Sequence, residues 1–226
     1  MTGDFIAVDE PTEDGVVVLT LNRPEKRNAL SIAVRDEMSD ALDALASRDD
    51  VKVVIVTGAG ETFCAGFDLK EFDRLGEPEF ANQLWASSDR FHRVVLSFPL
   101  PTVAAVNGPA LGGGFDLAVM CDVRIAVPGA RFAHPEVAFT EVVYGPLHDL
   151  VGGAVARDVA LTGRSIDADE ALALHLVSRV VPPDSLLDEA RSVATSMAVA
   201  SRDVLLRMKQ KIIRRAAVTT GPTLDL

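Results

Sequence analysis

The segment PTVAAVNGPALGGGFD, residues 101–116, contains the two features that decide the fold. Residues 102–106 form a β-branched and apolar run, which is typical of a strand that is covered on both faces in an α/β sheet. Three glycines follow at 112–114, and the apolar stretch after them, through Met120, predicts a helix that opens near Gly112. The segment therefore predicts a buried strand, a glycine-rich turn and a helix in succession.

The same kind of apolar run recurs along the chain. Further strands are predicted over residues 16–21, 51–56, 123–127 and 177–181. Between the first two lies an amphipathic helical pattern over residues 31–47, with Ser31 as its predicted N-cap. Alternating strands and helices favour right-handed crossovers and a mostly parallel sheet, so the predicted fold class is α/β.

The final third of the chain is predicted to be mainly helical. Asp167, followed three residues later by Glu170, resembles a capping box and predicts a short helix through His175. Two amphipathic helices are predicted over residues 184–200 and 201–218. We therefore divide the chain into an α/β core, residues 1–183, and a C-terminal helical arm, residues 184–226.

Composition excludes several classes of protein. The 226 residues carry 22 Lys and Arg against 33 Asp and Glu, and the net charge of −11 argues against nucleic acid as a partner. Hydrophobic residues make up 48%, too many for a disordered chain, but no apolar run approaches the roughly 20 residues that span a bilayer. Cys64 and Cys121 form no CxxC pair, and the acidic N-terminus lacks a signal-like apolar core. We expect a cytoplasmic protein without membrane segments.

A second glycine-bearing segment, VVIVTGAGETFCAGFDLK at residues 53–70, also follows a predicted strand. Ligands of open α/β sheets bind beyond the carboxyl ends of the strands, where both segments are expected to lie. A glycine triplet that opens a helix leaves unpaired N–H groups, which suit a developing negative charge. Neither segment contains GxGxxG or GxxxxGK[ST], and no GxSxG motif occurs. The alternative is that the triplet serves only close packing of helix and strand.

Two carboxylates and one histidine lie near these segments. Asp116 belongs to the first turn of the predicted helix, where a carboxylate stabilises the helix by about 0.3–1 kcal/mol without any catalytic role. Glu136 lies in a loop after the predicted strand 123–127, and a solvated surface group is the alternative interpretation. His134 has no second His or Cys at ligand spacing, so no metal site is predicted.

Six segments, in order along the chain, resemble the crotonase superfamily, the enoyl-CoA hydratase/isomerase family. They are NRPEKRNALS at 22–31, TGAG and FCAGFDL within 57–69, PTVAAVNGPALGGGFDL at 101–117, CDVRIA at 121–126, RFAHPE at 131–136, and LTGR and LVSRVV within 161–181. The resemblance implies a spiral of β-β-α units with a C-terminal helical oligomerisation arm, which is expected to be shorter here than is usual. It also implies a homotrimer or a dimer of trimers, an acyl-CoA thioester as substrate, and no cofactor beyond the CoA moiety.

In the family, two backbone N–H groups form an oxyanion hole for the thioester oxygen. By motif position these groups belong here to Phe67 and Gly113. Preformed donors at the oxygen of an enolate are worth several kcal/mol in a dry site. The resemblance also implies CoA contacts, which fall on Lys26, Arg27, Ala29, Ala65, Gly66, Asp68, Leu69, Lys70 and Gly112.

Hydratases of the family carry two glutamates, one to activate water and one to deliver or remove the α-proton. Glu136 matches the second, whereas Asp116 stands at the position of the first. Asp is one methylene shorter than Glu, and a displacement of about one C–C bond costs roughly 10²-fold in a positioned reaction. We predict addition of water to a 2-enoyl-CoA through a thioester enolate. The alternatives are an enoyl/dienoyl-CoA isomerase in which Asp116 and Glu136 shuttle protons, and a non-catalytic acyl-CoA-binding homologue.

Dienoyl-CoA isomerases of the superfamily are similar in having Asp at the first position and Glu at the second. They add a further acidic residue on the next loop, where an ungapped count gives Tyr144, with Glu141 beside it. Both are therefore candidate site residues. This loop shapes the acyl pocket in the family, so it is expected to determine substrate choice.

Overall fold

A six-stranded sheet forms the centre of the computed structural model, which describes residues 5–216, 222 and 223. In spatial order its strands are β1 (Ile6–Val8), β2 (Val16–Leu21), β3 (Val53–Gly58), β4 (Thr102–Val106), β6 (Val123–Ala126) and β9 (Arg179–Val180). β1 is antiparallel to β2, and the remaining pairs are parallel. The prediction of a mostly parallel α/β sheet is confirmed.

A second, smaller sheet lies beyond the carboxyl end of β4. It consists of β5 (Ala110–Leu111), β7 (Arg131–Ala133) and β8 (Ile166–Asp167). β5 pairs in parallel with β7, and β7 pairs antiparallel with β8. Because β5 leads directly into the glycine triplet, this sheet fixes the turn that opens the next helix.

Eight α-helices surround the sheets among the described residues. They are α1 (Ile32–Ala46), α2 (Leu69–Phe72), α3 (Pro78–Leu96), α4 (Gly113–Met120), α5 (Gly145–Thr162), α6 (Ala168–Ala173), α7 (Leu186–Ala198) and α8 (Arg202–Arg215). Short 3-10 turns cover Pro24–Lys26, Pro135–Ala138 and Pro183–Ser185. α5 is kinked at Gly152, whose φ of +75° is not helical.

The predicted helix starts are confirmed by their caps. The Ser31 hydroxyl accepts a hydrogen bond from the Val34 N–H at the start of α1. The Asp167 carboxylate accepts one from the Glu170 N–H over 2.9 Å at the start of α6. The prediction that α6 runs through His175 is wrong, because the helix ends at Ala173 and His175 has a left-handed φ of +58°.

The C-terminal helices differ in how they meet the core. α7 buries Leu186, Ala190, Ala194 and Ala198 and packs on β2, β3, β4 and β6, so it covers one face of the large sheet. α8 is attached through Lys209, which is 3% exposed and forms an ion pair with Asp122. Residues 217–221, which include the end of the predicted helix 201–218, and residues 224–226 of the predicted arm lie outside the described residues.

No helix in the described part of the chain combines the length and the apolar composition needed to cross a membrane.

Candidate active site

Hydrogen bonds between backbone groups join the two glycine-bearing segments. The Cys64 N–H donates to the Pro109 carbonyl over 3.2 Å, and the Leu111 N–H donates to the Cys64 carbonyl over 2.9 Å. As a result, a Cβ on Gly66 would stand only 3.3 Å from the nitrogen of Gly113. The two turns, which are far apart along the chain, therefore meet.

The backbone N–H of Phe67 points away from Leu30, with which Phe67 forms an isolated parallel bridge. The Leu30 N–H donates to the Gly66 carbonyl over 2.8 Å, and the Asp68 N–H donates to the Leu30 carbonyl over 3.3 Å. In such a parallel bridge the groups of the intervening residue point to the opposite side. Buried Arg35 donates to the Leu30 carbonyl over 2.7 Å, and its guanidinium carbon lies 4.4 Å from the centroid of the Phe67 ring. This arginine fixes the turn from behind.

The three glycines at 112–114 have distinct tasks. Gly112 has a φ of +51° and a ψ of −128°, a conformation that side chains rarely adopt, and its N–H donates to the Ala133 carbonyl. Gly113 begins α4, so its N–H is one of those that a helix leaves without an intrahelical partner. A Cβ on Gly114 would stand 2.7 Å from the Cβ of Cys64. The triplet thus combines close packing with an N–H group at a helix start.

A cavity of about 220 Å³ lies where the two turns meet. We define the cavity floor as five lining residues that are buried or half-buried: Gly66, Phe67, Gly112, Gly113 and Asp116. We define the cavity rim as four large apolar side chains and one acidic side chain that also line the cavity: Leu69, Phe72, Trp85, Phe139 and Glu141. Glu136 lies on the wall between them. One cavity therefore contains both predicted oxyanion-hole residues and both predicted carboxylates.

Glu136 lies in the turn Pro135–Ala138, directly after β7 and His134. Its carboxylate oxygens stand 3.0 Å from the point that a Cβ on Gly112 would occupy, so the carboxylate lies against the turn that presents Gly113. Burial raises the pKa of Glu136 above its ordinary 4.5, although nearby His134 opposes the shift. The interpretation of Glu136 as a fully solvated surface group is therefore wrong, and the group retains a proton more readily than a surface glutamate.

Asp116 lies in the first turn of α4 and is 4% exposed. The His134 Nε2 atom lies 2.8 Å from its Oδ1, and the His92 Nε2 atom lies 3.7 Å from its Oδ2. Burial alone would raise the pKa of Asp116, but the charge and the hydrogen bond of His134 lower it below its ordinary value. The surroundings of Asp116 and Glu136 therefore shift the two carboxyl pKa values in opposite directions.

His92 is a polar residue of the site that sequence reasoning missed, as it missed the apolar rim residues Phe72, Trp85 and Phe139. It lies on α3, far from Asp116 along the chain, and no motif or residue spacing singles it out. Its side chain is fully buried, with the ring edge-on to Phe91 at 5.1 Å between centroids. The contact between His92 and Asp116 depends only on how α3 packs beside α4.

The residues that the resemblance assigns to CoA divide into two groups. Ala65, Gly66, Leu69 and Gly112 line the cavity. Lys26, Arg27 and Lys70 are exposed, and Ala29 and Asp68 are half-buried, but these five are not part of the cavity lining. The Asp68 carboxylate is engaged within the protein, because Arg23 donates to it over 2.9 Å and it caps α2.

The two further candidates on the loop before α5 also differ. Glu141 is exposed and lies on the cavity rim. Tyr144 is half-buried, its ring packs against His148 at 5.5 Å between centroids, and it does not line the cavity. Glu141 is therefore the better placed of the two to contact a ligand.

The side chains near the cavity do not favour a thiol nucleophile or a metal site. Burial raises the pKa of the Cys64 thiol to about 12, so this thiol is a poor nucleophile. Across residues 5–216, 222 and 223, no three His, Cys, Asp or Glu side chains are arranged as a metal site. The chemistry that the geometry offers is proton transfer by two carboxylates beside two N–H donors.

Comparison with known sequences gives a consistent result. Residues 11–224 match the enoyl-CoA hydratase/isomerase family. A probable enoyl-CoA hydratase of Mycobacterium tuberculosis is 40% identical over 221 residues, which cover 96% of this chain and 83% of that protein. A short-chain-enoyl-CoA hydratase of Clostridium acetobutylicum is 38% identical over 208 residues, covering 90% of this chain and 79% of that protein.

Solved structures share the fold. The crystal structure of an enoyl-CoA hydratase from Bacillus anthracis superposes with a TM-score of 0.87 at 35% identity, covering 96% of this chain and 85% of that one. An enoyl-CoA hydratase/isomerase from Xanthobacter autotrophicus also superposes with a TM-score of 0.87, at 34% identity, covering 94% of this chain and 80% of that one. The chain belongs to the enoyl-CoA hydratase/isomerase family and has the predicted crotonase-like α/β fold, including helices at its C-terminal end.

Proposed function

We propose that this member of the family adds water across the double bond of a 2-enoyl-CoA thioester. The observation that carries the proposal is the convergence of Phe67, Gly113, Asp116 and Glu136 on one cavity. Relatives named as enoyl-CoA hydratases at about 40% identity support hydratase-type activity in general.

The N–H groups of Phe67 and Gly113 are proposed to bind the thioester oxygen. When the oxygen of water bonds to Cβ, the electrons of the double bond move towards the thioester, and negative charge develops on that oxygen. Donors that are already oriented stabilise this charge without reorganisation, and each is worth about 3 kcal/mol. Both groups are held by the backbone, one by the bridge at Leu30 and one at the start of α4.

The two carboxylates are proposed to divide the proton transfers. Asp116, with its lowered pKa, takes a proton from the attacking water. Glu136, with its raised pKa, delivers a proton to Cα as the enolate collapses. The water molecule is thus added across the double bond, and a proton passes from Asp116 back to Glu136 through solvent before the next turnover. Carboxyl groups with pKa values shifted apart suit this division between base and acid.

Turnover of crotonyl-CoA tests the proposed reaction. Purified protein should remove the absorbance of the conjugated enoyl-thioester, and the 3-hydroxyacyl product should appear in equal amount. Tight CoA binding without turnover of short, medium, aromatic or dienoyl thioesters would contradict the proposal and favour a non-catalytic binding protein.

Replacing Glu136 by Gln tests its role as proton donor. Loss of a general acid costs typically 10²–10⁴-fold, so we expect kcat to fall at least about 10²-fold. The matched control is Glu79→Gln, an exposed glutamate on α3 outside the cavity, which should retain wild-type kcat. An unchanged kcat in Glu136→Gln would remove its assigned role.

An enoyl/dienoyl-CoA isomerase is the second candidate. The observation that favours it is that the buried carboxylate at the start of α4, held by His134 over 2.8 Å, belongs to an aspartate where hydratases of the family carry a glutamate. An isomerase would move the double bond without incorporating oxygen. Hydration in ¹⁸O-labelled water distinguishes the two, because only a hydratase introduces the label into the acyl chain.

We also propose assembly into a trimer or a dimer of trimers, as the family resemblance implies. The exposed apolar side chains of α8 support an interface: Val204 is 40%, Met208 47% and Ile212 50% exposed. Sedimentation velocity should show an oligomer, and a monomer at micromolar concentration would contradict this part of the proposal.

A further inference from the structure

A buried cluster of three side chains lies beneath the cavity. The Asp116 carboxylate faces an imidazole on each side, with His134 Nε2 2.8 Å from Oδ1 and His92 Nε2 3.7 Å from Oδ2. Both histidines are 0% exposed. We refer to these three residues as the His–Asp–His cluster.

The hydrogen bonds determine which ring nitrogens carry protons. The His92 Nδ1 atom lies 2.9 Å from the Ser88 carbonyl, which can only accept, and 3.3 Å from the Thr223 hydroxyl, which donates to Asp89. Nδ1 therefore carries the hydrogen. The His134 Nε2 atom donates to Asp116, because an ionised carboxylate can only accept. The remaining nitrogens, His92 Nε2 and His134 Nδ1, are buried and have no hydrogen-bond partner among the described residues. Buried polar atoms without partners are rare, so this arrangement calls for a functional explanation.

Each member of the cluster comes from a different element. His92 lies on α3, Asp116 on α4, and His134 at the start of the turn after β7. The rings are held by aromatic neighbours, with His92 against Phe91 at 5.1 Å and His134 against Phe115 at 4.8 Å between centroids. Only Asp116 lines the cavity, so any effect of the histidines on a substrate passes through this carboxylate.

The two contacts leave the carboxylate oxygens in different states. Oδ1 accepts a short hydrogen bond from His134, whereas Oδ2 faces the His92 Nε2 atom without a hydrogen bond. Two further titratable groups interact electrostatically with the cluster: Glu136 with His134, and the Cys64 thiol, which donates to the Asn28 carbonyl, with Asp116. Within the cluster Oδ2 is therefore the oxygen left to accept a proton.

We propose that His134 is a positioning residue that holds the Asp116 carboxylate through Oδ1, and that His92, whose Nε2 atom carries no hydrogen to donate, leaves Oδ2 free to accept the proton of the water that Asp116 deprotonates. The proposal rests on the proposed hydratase function. This positioning explains how Asp116, whose side chain is one methylene shorter than that of glutamate, can act as a base. A fixed orientation of the carboxylate offsets the shorter distance that the side chain spans. Displacements of about 1 Å cost roughly 10²-fold in a positioned reaction, so a fixed orientation has a large effect on rate.

Paired substitutions at His134 separate the hydrogen bond from the packing. His134→Gln retains an N–H donor near the Nε2 position, whereas His134→Leu retains bulk without a donor. We expect kcat for crotonyl-CoA to fall about 10²-fold in His134→Leu and less than about tenfold in His134→Gln, with KM within about twofold in both. Equal losses in the two variants, or losses that match only the fraction of unfolded protein, would overturn the proposal.

A second substitution tests whether the Nε2 atom of His92 affects the Asp116 carboxylate. His92→Asn retains a donor for the Ser88 carbonyl and removes the group that faces Oδ2, so we expect kcat to fall about tenfold and the kcat–pH profile to shift. The matched control is His175→Asn, because His175 is exposed and its left-handed φ of +58° suits asparagine. A wild-type kcat and profile in His92→Asn would show that this histidine does not act on Asp116.

A readout without turnover distinguishes failure of this proposal from failure of the proposed function. Histidine ring ¹⁵N NMR of the full chain should show Nε2–H on His134, and the His134 titration should move to lower pH in Asp116→Asn. If no thioester is turned over but these signals behave as expected, the hydratase assignment fails while the cluster stands. If the His134 titration is the same in Asp116→Asn as in the wild type, the proposal is overturned whatever the activity.

Discussion

The cavity floor and the cavity rim are built in different ways. The cavity floor is held by backbone hydrogen bonds, by a glycine conformation and by buried polar side chains. The cavity rim consists of exposed and half-buried side chains, of which Leu69 is 66% and Phe139 64% exposed. A rigid, buried region suits chemistry that depends on orientation, whereas an exposed apolar region can vary without loss of the fold. We therefore expect changes in the cavity floor to affect every substrate and changes in the cavity rim to affect the choice among substrates.

The largest effect is expected where the cavity floor is fixed from behind. Arg35→Met removes the donor to the Leu30 carbonyl and the cation opposite Glu71, which lies 3.7 Å away. Breaking a buried ion pair on one side costs about 3 kcal/mol, so the free energy of unfolding in urea should fall by about that amount. The control is Arg48→Met, a surface arginine paired with Asp50, which should leave stability little changed. Equal effects of the two substitutions would contradict the importance of Arg35.

The next largest effect is expected at the turn before α4. In Gly112→Ala the new Cβ would stand 3.0 Å from the Glu136 carboxylate, at a φ of +51°. We expect kcat to fall about 10²-fold for all acyl-CoA substrates, because both the turn and the carboxylate must move. Gly129→Ala is the control, since nothing lies within 4 Å of its Cβ position. If kcat falls only for some acyl-CoA substrates, Gly112 affects the choice among substrates, as we expect of the cavity rim and not of the cavity floor.

A smaller, selective effect is expected at the cavity rim. Trp85 is half-buried on α3, and Trp85→Ala opens space for a longer acyl chain. We expect the ratio of kcat/KM for a medium-chain enoyl-CoA to that for crotonyl-CoA to rise about tenfold, as is typical for a change of a few methylenes in an apolar pocket. If both substrates lose activity equally, the distinction between cavity floor and cavity rim fails at this residue.

The smallest effect is expected in the pH dependence of stability. Asp116 raises the pKa of His134 above its ordinary 6.5 against the effect of burial, and the pKa of Asp116 lies below its ordinary 3.8. The contribution of His134 to folding stability is therefore complete below pH 6.5 and is lost as the pH rises through the pKa of His134 in the folded protein. The contribution of Asp116 to folding stability is lost as the pH falls through the pKa of Asp116 in the folded protein. The difference in unfolding free energy between wild type and His134→Gln should be largest between about pH 3.8 and 6.5. A difference that does not vary with pH would contradict this coupling.

Local patterns in the sequence predicted the elements that position the cavity floor. The strand at 102–106 and the helix after Gly112 were predicted because an apolar run and a glycine triplet are local signals. Ser31 and Asp167 were predicted as caps for the same reason. The positions of Phe67 and Gly113 in one cavity followed from the family resemblance, since no local pattern specifies that two distant turns meet.

The contacts that the sequence did not predict join distant elements through buried polar groups. α3 was missed because Ser87 and Ser88 interrupt its apolar pattern, although both are buried. The Ser87 hydroxyl accepts from Arg35, and the Ser88 hydroxyl lies 2.9 Å from that of Thr223, so these serines mark polar contacts inside the protein. No sequence spacing shows which buried histidine faces which carboxylate, and that pairing appears only when the helices pack.

A crystal structure of the Glu136→Gln variant with crotonyl-CoA bound would test the account most directly. The thioester oxygen should lie about 2.7–3.2 Å from the nitrogens of both Phe67 and Gly113, with Asp116 facing Cβ. An ordered acyl chain whose thioester oxygen lies more than about 4 Å from either nitrogen would contradict the assignment of these two turns to thioester chemistry.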